Sequence, residues 1–287
     1  MSYFQVLGLD REPFSTSPDP LFFYQSQRHR ATLANLVIEF RLKRGLSVVI
    51  GDVGVGKTTL GRKLIQMLSE REGFIFHMML DPTFPSEEQF YQALIRSFGI
   101  ETAAVRPTLL DYREGLERFL FRKGVEEHKT VVLIIDEAHK LNPLSLEALR
   151  VLLNYETNET KLLQLVLLGQ MELLPLLKSM PNVVDRISMK SMLTPLTFEE
   201  TREMVEFRLY EAGYHFPSPL FLDEAIHAIY RASSGYPRKI AMLCHRALRG
   251  LVMYNRSVVD RELVDNVLQE DIEAGWSPTE ALQKSVC

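Results

Sequence analysis

Short runs of apolar and β-branched residues alternate along the chain with longer segments in which apolar residues recur every three or four positions. The runs predict buried strands, and the longer segments predict amphipathic helices. The predicted strands are Leu46–Ile50, Phe74–Leu80, Val131–Ile135, Leu163–Leu168 and Ile187–Met192. The predicted helices among them are Arg28–Lys43, Lys57–Glu70, Glu87–Phe98, Leu109–Val125 and Ser145–Asn154. This alternation predicts a parallel sheet that helices cover on both faces.

The strand pattern stops after Thr194-Pro195, and only helical patterns follow. They are Phe198–Ala212, Leu222–Ala232, Pro237–Tyr254 and Asp260–Glu270. In the third of these, an apolar stripe lies opposite the basic residues Lys239, Arg246 and Arg249. The stripe consists of Ile240, Leu243, Cys244, Ala247, Leu248 and Leu251. We predict an α/β domain with an N-terminal arm over residues 1–194, a small helical domain over 195–272 and a flexible tail over 273–287.

The composition fits a globular protein with a substantial core. The chain has 287 residues, 46% of them hydrophobic, and a formal net charge of −4, which excludes disordered and collagen-like chains. Cys244 and Cys287 are too few for a disulfide framework, which favours a reducing compartment. The most apolar stretch, Leu162–Leu177, is interrupted by polar residues and lacks the roughly 20 apolar residues of a membrane span. Met1–Phe4 has no features of a secretory signal, so we expect a cytoplasmic protein.

A glycine-rich motif follows the first predicted strand and opens the next helix. Its sequence, Gly51-Asp52-Val53-Gly54-Val55-Gly56-Lys57-Thr58, fits the pattern G-x-x-x-x-G-K-[ST]. The glycines let backbone N–H groups converge on an anion, while the helix N-terminus and Lys57 add positive charge. With Thr59, the motif predicts a site for nucleotide phosphates, in which Thr58 is a ligand of Mg²⁺. The alternative is a chance match in a glycine-rich turn, against which the strand-loop-helix context argues.

Two carboxylates, Asp136 and Glu137, end the third predicted strand. Ligands of open α/β sheets bind at this end of the strands. Asp136 is therefore a candidate ligand of Mg²⁺ or of its water, and Glu137 is a candidate base that polarises an attacking water. The alternative is that the two acids only end the strand and cap the next helix, a role that Asn142 or Ser145 could fill equally well.

Three further polar residues are candidates for contacts with the reacting phosphate. Gln170 follows the fourth predicted strand and could position water, although it could equally be an ordinary loop residue. Arg238 lies at the start of a helix, where the dipole disfavours a cation unless an anion is near, or it could bond a neighbouring carboxylate. Arg186, just before the fifth strand, is a candidate arginine finger toward a neighbouring subunit, or it pairs with Asp185 or a glutamate.

Other chemistry-bearing residues have a structural interpretation. The seven histidines show no metal-ligand spacing, so we expect each, His139 included, to be structural or solvated. An aromatic cluster near the N-terminus could stack on adenine but is more typical of a packed arm. The cluster consists of Phe14, Phe22, Phe23 and Tyr24. The helix face with Lys239, Arg246 and Arg249 is more typical of a solvated surface than of a contact with nucleic acid.

Three stretches resemble a known family, the AAA+ ATPases of the ExeA/GspA and MshM type, which are associated with secretion and pilus machinery. The first is an opening motif that runs from Phe4 through Leu7-Gly8-Leu9 and Glu12-Pro13-Phe14-Ser15 to His29-Arg30. The second is the pair Gly51–Thr59 and Asp136–His139, and the third combines Leu167–Leu173 with Gly235–Leu248. The same ATPase type resembles transposition regulators of the TniB/TnsC kind, which bind DNA as ATP-dependent oligomers.

The resemblance implies a P-loop NTPase αβα core with a five-stranded parallel sheet, an α-helical lid, hydrolysis at subunit interfaces and assembly into rings or filaments. By position, Lys57 and Thr58 match the first Walker motif, and Asp136 and Glu137 match the second. Gln170 matches the first sensor, Arg238 the second sensor and Arg186 the arginine finger.

We therefore expect an ATP hydrolase that depends on Mg²⁺ and whose cycle controls self-assembly and partner binding. The expected setting is a secretion, pilus or other cell-envelope machine, with membrane association only through a partner. The alternative is a DNA-binding regulator of transposition that uses the basic helix face. A third alternative, a scaffold that binds ATP and barely hydrolyses it, is less attractive because Glu137 is intact.

Overall fold

The computed structural model of the chain describes residues 2–69, 73–101 and 105–273. The strands are β1 (Leu46–Gly51), β2 (Phe74–Met79), β3 (Thr130–Ile135), β4 (Leu163–Gly169) and β5 (Ile187–Leu193). The helices before β4 are α1 (Tyr3–Val6), α2 (Gln27–Leu42), α3 (Lys57–Ser69), α4 (Glu87–Phe98), α5 (Leu109–Phe121) and α6 (Pro143–Leu152). Those after β4 are α7 (Leu173–Lys178), α8 (Pro181–Val184), α9 (Phe198–Glu211), α10 (Asp223–Ser233), α11 (Pro237–Met253) and α12 (Arg261–Glu273).

The five strands form one parallel sheet in the order β2-β3-β4-β1-β5. Every residue of the inner strands β1, β3 and β4 is buried, whereas the edge strands β2 and β5 are partly exposed. Continuous apolar runs such as Val131–Ile135 suit strands with both faces covered, because neither face meets water. The predicted parallel, doubly covered sheet of a P-loop NTPase is confirmed.

The register brings the functional segments to one edge of the sheet, the edge that the carboxyl ends of the strands form. Ile50 of β1 lies opposite Gly169 of β4, and Ile135 of β3 lies opposite Leu167. The strands are parallel, so the loop after β1, the acids after β3 and Gln170 after β4 all emerge at the carboxyl ends of neighbouring strands. The opposite edge, which the amino ends of the strands form, carries the residues that precede β1 and β5.

The chain divides into two compact units. The α/β unit comprises residues 27–53 and 57–193, and the helical unit comprises residues 2–26, 54–56 and 194–273 of the described chain. The core of the α/β unit joins the buried strand residues to α4, α5 and α6. The core of the helical unit is built from α9 to α12 and includes the whole predicted apolar stripe of α11.

The N-terminal arm belongs to the helical unit, whereas the sequence predicted it as part of the α/β domain. Leu9, Phe14 and Phe22 are buried in the helical core, and the Phe14 ring meets Phe221 edge-on at 5.9 Å. The partly buried Arg208 guanidinium donates to the Ser15 carbonyl oxygen at 3.3 Å. The physical reason is that the arm's aromatic side chains complete the helical core, which also supports the packed-arm interpretation over stacking on adenine.

Several local features differ from the predicted elements. The short helices α1, α7 and α8 were not predicted, and α5 continues into a π-helical turn at Arg122–Glu126. Asn142 caps α6 by accepting from the Ser145 N–H at 2.8 Å, which is one of the two capping roles considered for that helix. No helix in the described ranges is both long and apolar enough to cross a bilayer. The predicted flexible tail lies outside the described residues, except for Glu273.

Candidate active site

The glycine-rich loop connects β1, which ends at Gly51, to α3, which begins at Lys57. Gly54 and Gly56 have φ angles of 85° and 100°, a backbone region that side chains with a Cβ rarely adopt. A Cβ on Gly54 would also lie 3.0 Å from the Cβ of Arg238. The first amides of α3 have no helical acceptors, so the loop ends in a cluster of N–H donors at the positive end of a helix dipole. Such a loop can bind an anion.

Lys57 is buried at the end of this loop, with 6% of its surface exposed. Its Nζ donates to the carbonyl oxygens of Gly51 at 2.7 Å and Asp52 at 2.9 Å. Burial lowers the pKa of Lys57, although nearby acids, Glu137 and Asp136 foremost, act in the opposite direction. Within the described ranges no carboxylate lies at ion-pair distance from Nζ, so a phosphate would give this ammonium a full counter-charge.

Thr58 and Asp136 are joined across the loop and the end of β3. The Thr58 hydroxyl donates to Asp136 Oδ2 at 2.5 Å, and the Glu137 N–H donates to Asp136 Oδ1 at 3.0 Å. Asp136 is 3% exposed, and burial raises the pKa of its carboxyl despite these two hydrogen bonds. Hydroxyl and carboxylate oxygens are ligands that Mg²⁺ prefers, and a cation beside Asp136 would offset the cost of burying its charge. The residues therefore fit a Mg²⁺ site.

Glu137, Gln170 and His139 form one side-chain cluster. Gln170 Nε2 donates to Glu137 Oε2 at 3.3 Å and lies 3.2 Å from His139 Nε2. His139 Nε2 is 3.5 Å from Glu137 Oε2, and the Gln170 backbone N–H donates to His139 Nδ1 at 3.5 Å. The sequence predicted a structural or solvated His139, and metal-ligand spacing gave no signal for this contact. The cluster depends on the left-handed backbone of Glu137, with φ of 50°, which precedes a 3₁₀ turn at Ala138–Lys140.

Arg186 lies just before β5 and so at the edge of the sheet opposite the loop. Its guanidinium donates to the Asn182 carbonyl oxygen at 2.7 Å and to Asn154 Oδ1 at 3.0 Å. Among the described residues it has no carboxylate at ion-pair distance, so the considered pair with Asp185 or a glutamate is absent. The structure does not bring Arg186 together with Glu137 or Lys57 within one α/β unit.

Arg238 is the second residue of α11 and is exposed. Its backbone N–H donates to the Gly54 carbonyl oxygen at 3.2 Å, a contact within the helical unit. Among the described residues its guanidinium has no carboxylate partner, so the considered surface ion pair is absent.

Only some of the basic side chains predicted on one face of α11 are free of acidic partners among the described residues. Arg246 is ion-paired with Glu270 at 3.1 Å and also with Asp271, and it donates to the Val267 carbonyl oxygen at 3.0 Å. Lys239 lies over the ring of Tyr236, 5.1 Å from its centroid. Arg249 is exposed. Because Arg246 is neutralised within the helical unit, the face carries less net positive charge than its sequence indicates.

Comparison with known proteins relates this site to a family. Residues 41–177 match the AAA_22 family, described as an AAA domain. Over 250 residues, or 86% of the chain, the sequence is 36% identical to general secretion pathway protein A of Aeromonas hydrophila and covers 44% of that protein. The chain thus spans less than half the length of the curated relatives it matches.

Solved structures share the fold at low sequence identity. The ADP form of the Aeropyrum pernix ORC2 protein superposes with a TM-score of 0.69 at 17% identity, covering 91% of this chain and 72% of that one. The Thermotoga maritima RuvB Holliday junction branch migration motor superposes with a TM-score of 0.59 at 19% identity, covering 88% and 73%. The family match, the sheet order and the motif positions agree with the resemblance stated from the sequence. The chain therefore contains an AAA domain at residues 41–177, carried by the P-loop NTPase fold, and its sequence is similar to that of general secretion pathway protein A.

Proposed function

We propose that the chain is an ATP hydrolase that depends on Mg²⁺ and whose cycle controls its oligomerisation and partner binding. The observation that carries this proposal is the meeting of Lys57, the Thr58–Asp136 pair and the Glu137–Gln170 pair at the carboxyl ends of β1, β3 and β4. An anion site, an oxygen-rich cation site and a candidate base at one sheet edge are the parts that phosphoryl transfer to water requires.

The binding roles follow from the groups that each residue offers. The amides of residues 51–59 and the Lys57 ammonium would hold the phosphates of ATP, with Arg238 as a further phosphate contact. Thr58 and Asp136 would hold Mg²⁺, which when bound supplies positive charge to the phosphate oxygens. Lys57 can exchange its two carbonyl acceptors for phosphate oxygens, which gives its buried charge a stronger partner.

The hydrolytic roles belong to the residues after β3 and β4. Glu137 would accept a proton from the attacking water, and Gln170, 3.3 Å from the same carboxylate oxygen, would orient that water. Arg186 from a neighbouring copy and Arg238 in cis would stabilise the charge that develops on the phosphate. An arginine finger in trans makes hydrolysis depend on assembly.

The setting we propose is the assembly of a secretion, pilus or other cell-envelope machine. Its support is the 36% identity to general secretion pathway protein A across most of this chain. The protein would act in the cytoplasm and reach the membrane through a protein partner. A role as a DNA-bound regulator finds less support, because Arg246 of the basic face is ion-paired with Glu270 and Asp271.

Two substitutions test the assignment of binding and chemistry to different residues. Glu137→Gln keeps the size of the side chain but removes the base, so ATP binding should persist while turnover falls by about a hundredfold or more. Lys57→Ala should instead weaken ATP binding, because the loop loses its full positive charge. Equilibrium binding of a fluorescent ATP analogue and steady-state phosphate release measure the two effects. Turnover near the unmodified rate in the Glu137→Gln protein would contradict the proposal.

A further inference from the structure

Both ring nitrogens of His139 face Gln170, and one of the two neutral tautomers directs an N–H group at Glu137. In that tautomer Nδ1 accepts from the backbone N–H of Gln170 at 3.5 Å and the proton is on Nε2. His139 Nε2 and Gln170 Nε2, which lie 3.2 Å apart, are then both donors and do not hydrogen-bond to each other. Both face Glu137 Oε2, at 3.5 Å and 3.3 Å. One carboxylate oxygen of the candidate base thus accepts a hydrogen bond from Gln170 and has the His139 Nε2 atom beside it at the longer distance of 3.5 Å.

The cluster is well placed to fix the direction of Glu137. The carboxylate is about one-third exposed, whereas His139 is mostly covered, with 15% of its side chain accessible. The 3₁₀ turn at Ala138–Lys140 and the Gln170 backbone fix the imidazole from two sides. A partly exposed glutamate has several rotamers, and only those that meet both donors keep Oε2 in this position.

We infer that His139 is a positioning residue for hydrolysis, which acts through Glu137 and not through ATP or the metal. This inference rests on the proposed function, because it assumes that Glu137 is the base. The imidazole holds the Glu137 carboxylate in the orientation from which it accepts the proton of water. The Gln170 side-chain amide, which donates to the same carboxylate, has the same effect. Loss of His139 lowers the fraction of time that Glu137 spends in that orientation.

The test compares three substitutions at His139 in the full chain. His139→Ala removes the ring and should lower kcat by about tenfold, with the KM for ATP unchanged within about twofold. His139→Gln can return an amide N–H near the position of Nε2 and should recover most of this loss. His139→Asn offers an oxygen near the position of Nδ1 but is too short to reach Glu137, so it should resemble His139→Ala. The matched control is His128→Asn, since His128 is exposed and has a φ of 53° that asparagine tolerates.

A double-mutant cycle separates positioning of Glu137 from a general structural role. In the Glu137→Gln background, His139→Ala should cause no further loss of turnover, because its target is already absent. A full additional tenfold loss, or equal activity of the glutamine and asparagine variants, would overturn the inference. The proposed function itself fails only if Glu137→Gln turns over normally. If Glu137→Gln is inactive while His139→Ala is fully active, the positioning role alone is wrong.

Discussion

At the scale of single residues, the candidate site holds two ionisable side chains, Lys57 and Asp136, in surroundings that disfavour their charged forms. Burial lowers the pKa of Lys57 and raises the pKa of Asp136, so each charged form is disfavoured relative to water. The structure compensates with carbonyl oxygens for Lys57 and with two hydrogen bonds for Asp136. Side chains that are buried in this way to bind ligands reduce the stability of the ligand-free protein. This is a known conflict between activity and stability.

Asp136→Asn should therefore stabilise the protein in the absence of nucleotide and metal. The amide oxygen can accept from the Glu137 N–H, and the amide NH₂ group can donate to the Thr58 hydroxyl oxygen in place of the present bond, so both contacts are kept without a buried charge. We expect the Tm to rise by about 2 °C or more, while ATP turnover is lost. Differential scanning calorimetry in buffer with EDTA measures the change. A lower Tm than that of the unmodified protein would show that the Asp136 charge is stabilising as it stands.

The candidate site was predictable from the sequence only where a motif or a strand end marks a residue. Lys57, Thr58, Asp136 and Gln170 follow strands whose carboxyl ends share one edge, and the structure brings these segments together. His139 could not be found in this way, since its contact with Glu137 depends on one left-handed φ and on an amide from a different strand. Side-chain contacts of this kind depend on three-dimensional geometry and not on spacing.

At the scale of elements, periodicity was sufficient for the long helices and the strands. All five predicted strands are present, and α4 has the predicted bounds, because its apolar period and its caps agree. The Ser86 hydroxyl accepts from the Gln89 N–H at one end, and Gly99 adopts a left-handed φ of 65° at the other. The short helices α7 and α8 were missed because each has fewer than two turns and contains a proline, so neither shows a period.

The edge strand β2 carries a titratable core contact that makes stability depend on pH. The ring of His77 lies 4.1 Å from that of Phe98, and burial lowers the pKa of His77. Since the unfolded chain takes up this proton at a higher pH than the folded chain, the free energy of unfolding should fall as pH drops below about 6.5.

His77→Phe should remove this part of the pH dependence, because the phenyl ring keeps the packing on Phe98 and does not titrate. Urea unfolding at pH 7.5 and pH 5.5 measures the difference. We expect the unmodified protein to lose more stability between pH 7.5 and pH 5.5 than the His77→Phe protein. The control His128→Asn, at an exposed histidine, should lose as much stability as the unmodified protein. Equal losses of unfolding free energy in the His77→Phe and unmodified proteins would rule out His77 as the source of the pH dependence.

At the scale of the whole molecule, the candidate catalytic residues of the α/β unit lie at opposite edges of its sheet. The loop leaves β1 after Gly51, whereas Arg186 precedes Ile187, which lies beside Leu46 at the other end of β1. Strand β1 has six residues, so at about 3.3 Å per residue the two edges are roughly 17 Å apart. Arg186 therefore cannot serve the phosphate loop of its own α/β unit, and its guanidinium is held by Asn154 and Asn182 and not by a carboxylate.

Mixing two inactive variants tests whether Arg186 acts on a neighbouring copy. Arg186→Ala subunits keep an intact phosphate loop, and Lys57→Ala subunits keep an intact Arg186, so a mixed assembly contains complete sites that neither variant forms alone. We expect each variant to turn over ATP about a thousandfold more slowly than the unmodified protein, and equimolar mixing to restore a substantial fraction of the rate. The control replaces the Lys57→Ala subunit with one that carries both substitutions, which should restore nothing. Equal rates in the two mixtures, measured by phosphate release at a concentration where light scattering detects assembly, would exclude Arg186 as a residue acting in trans.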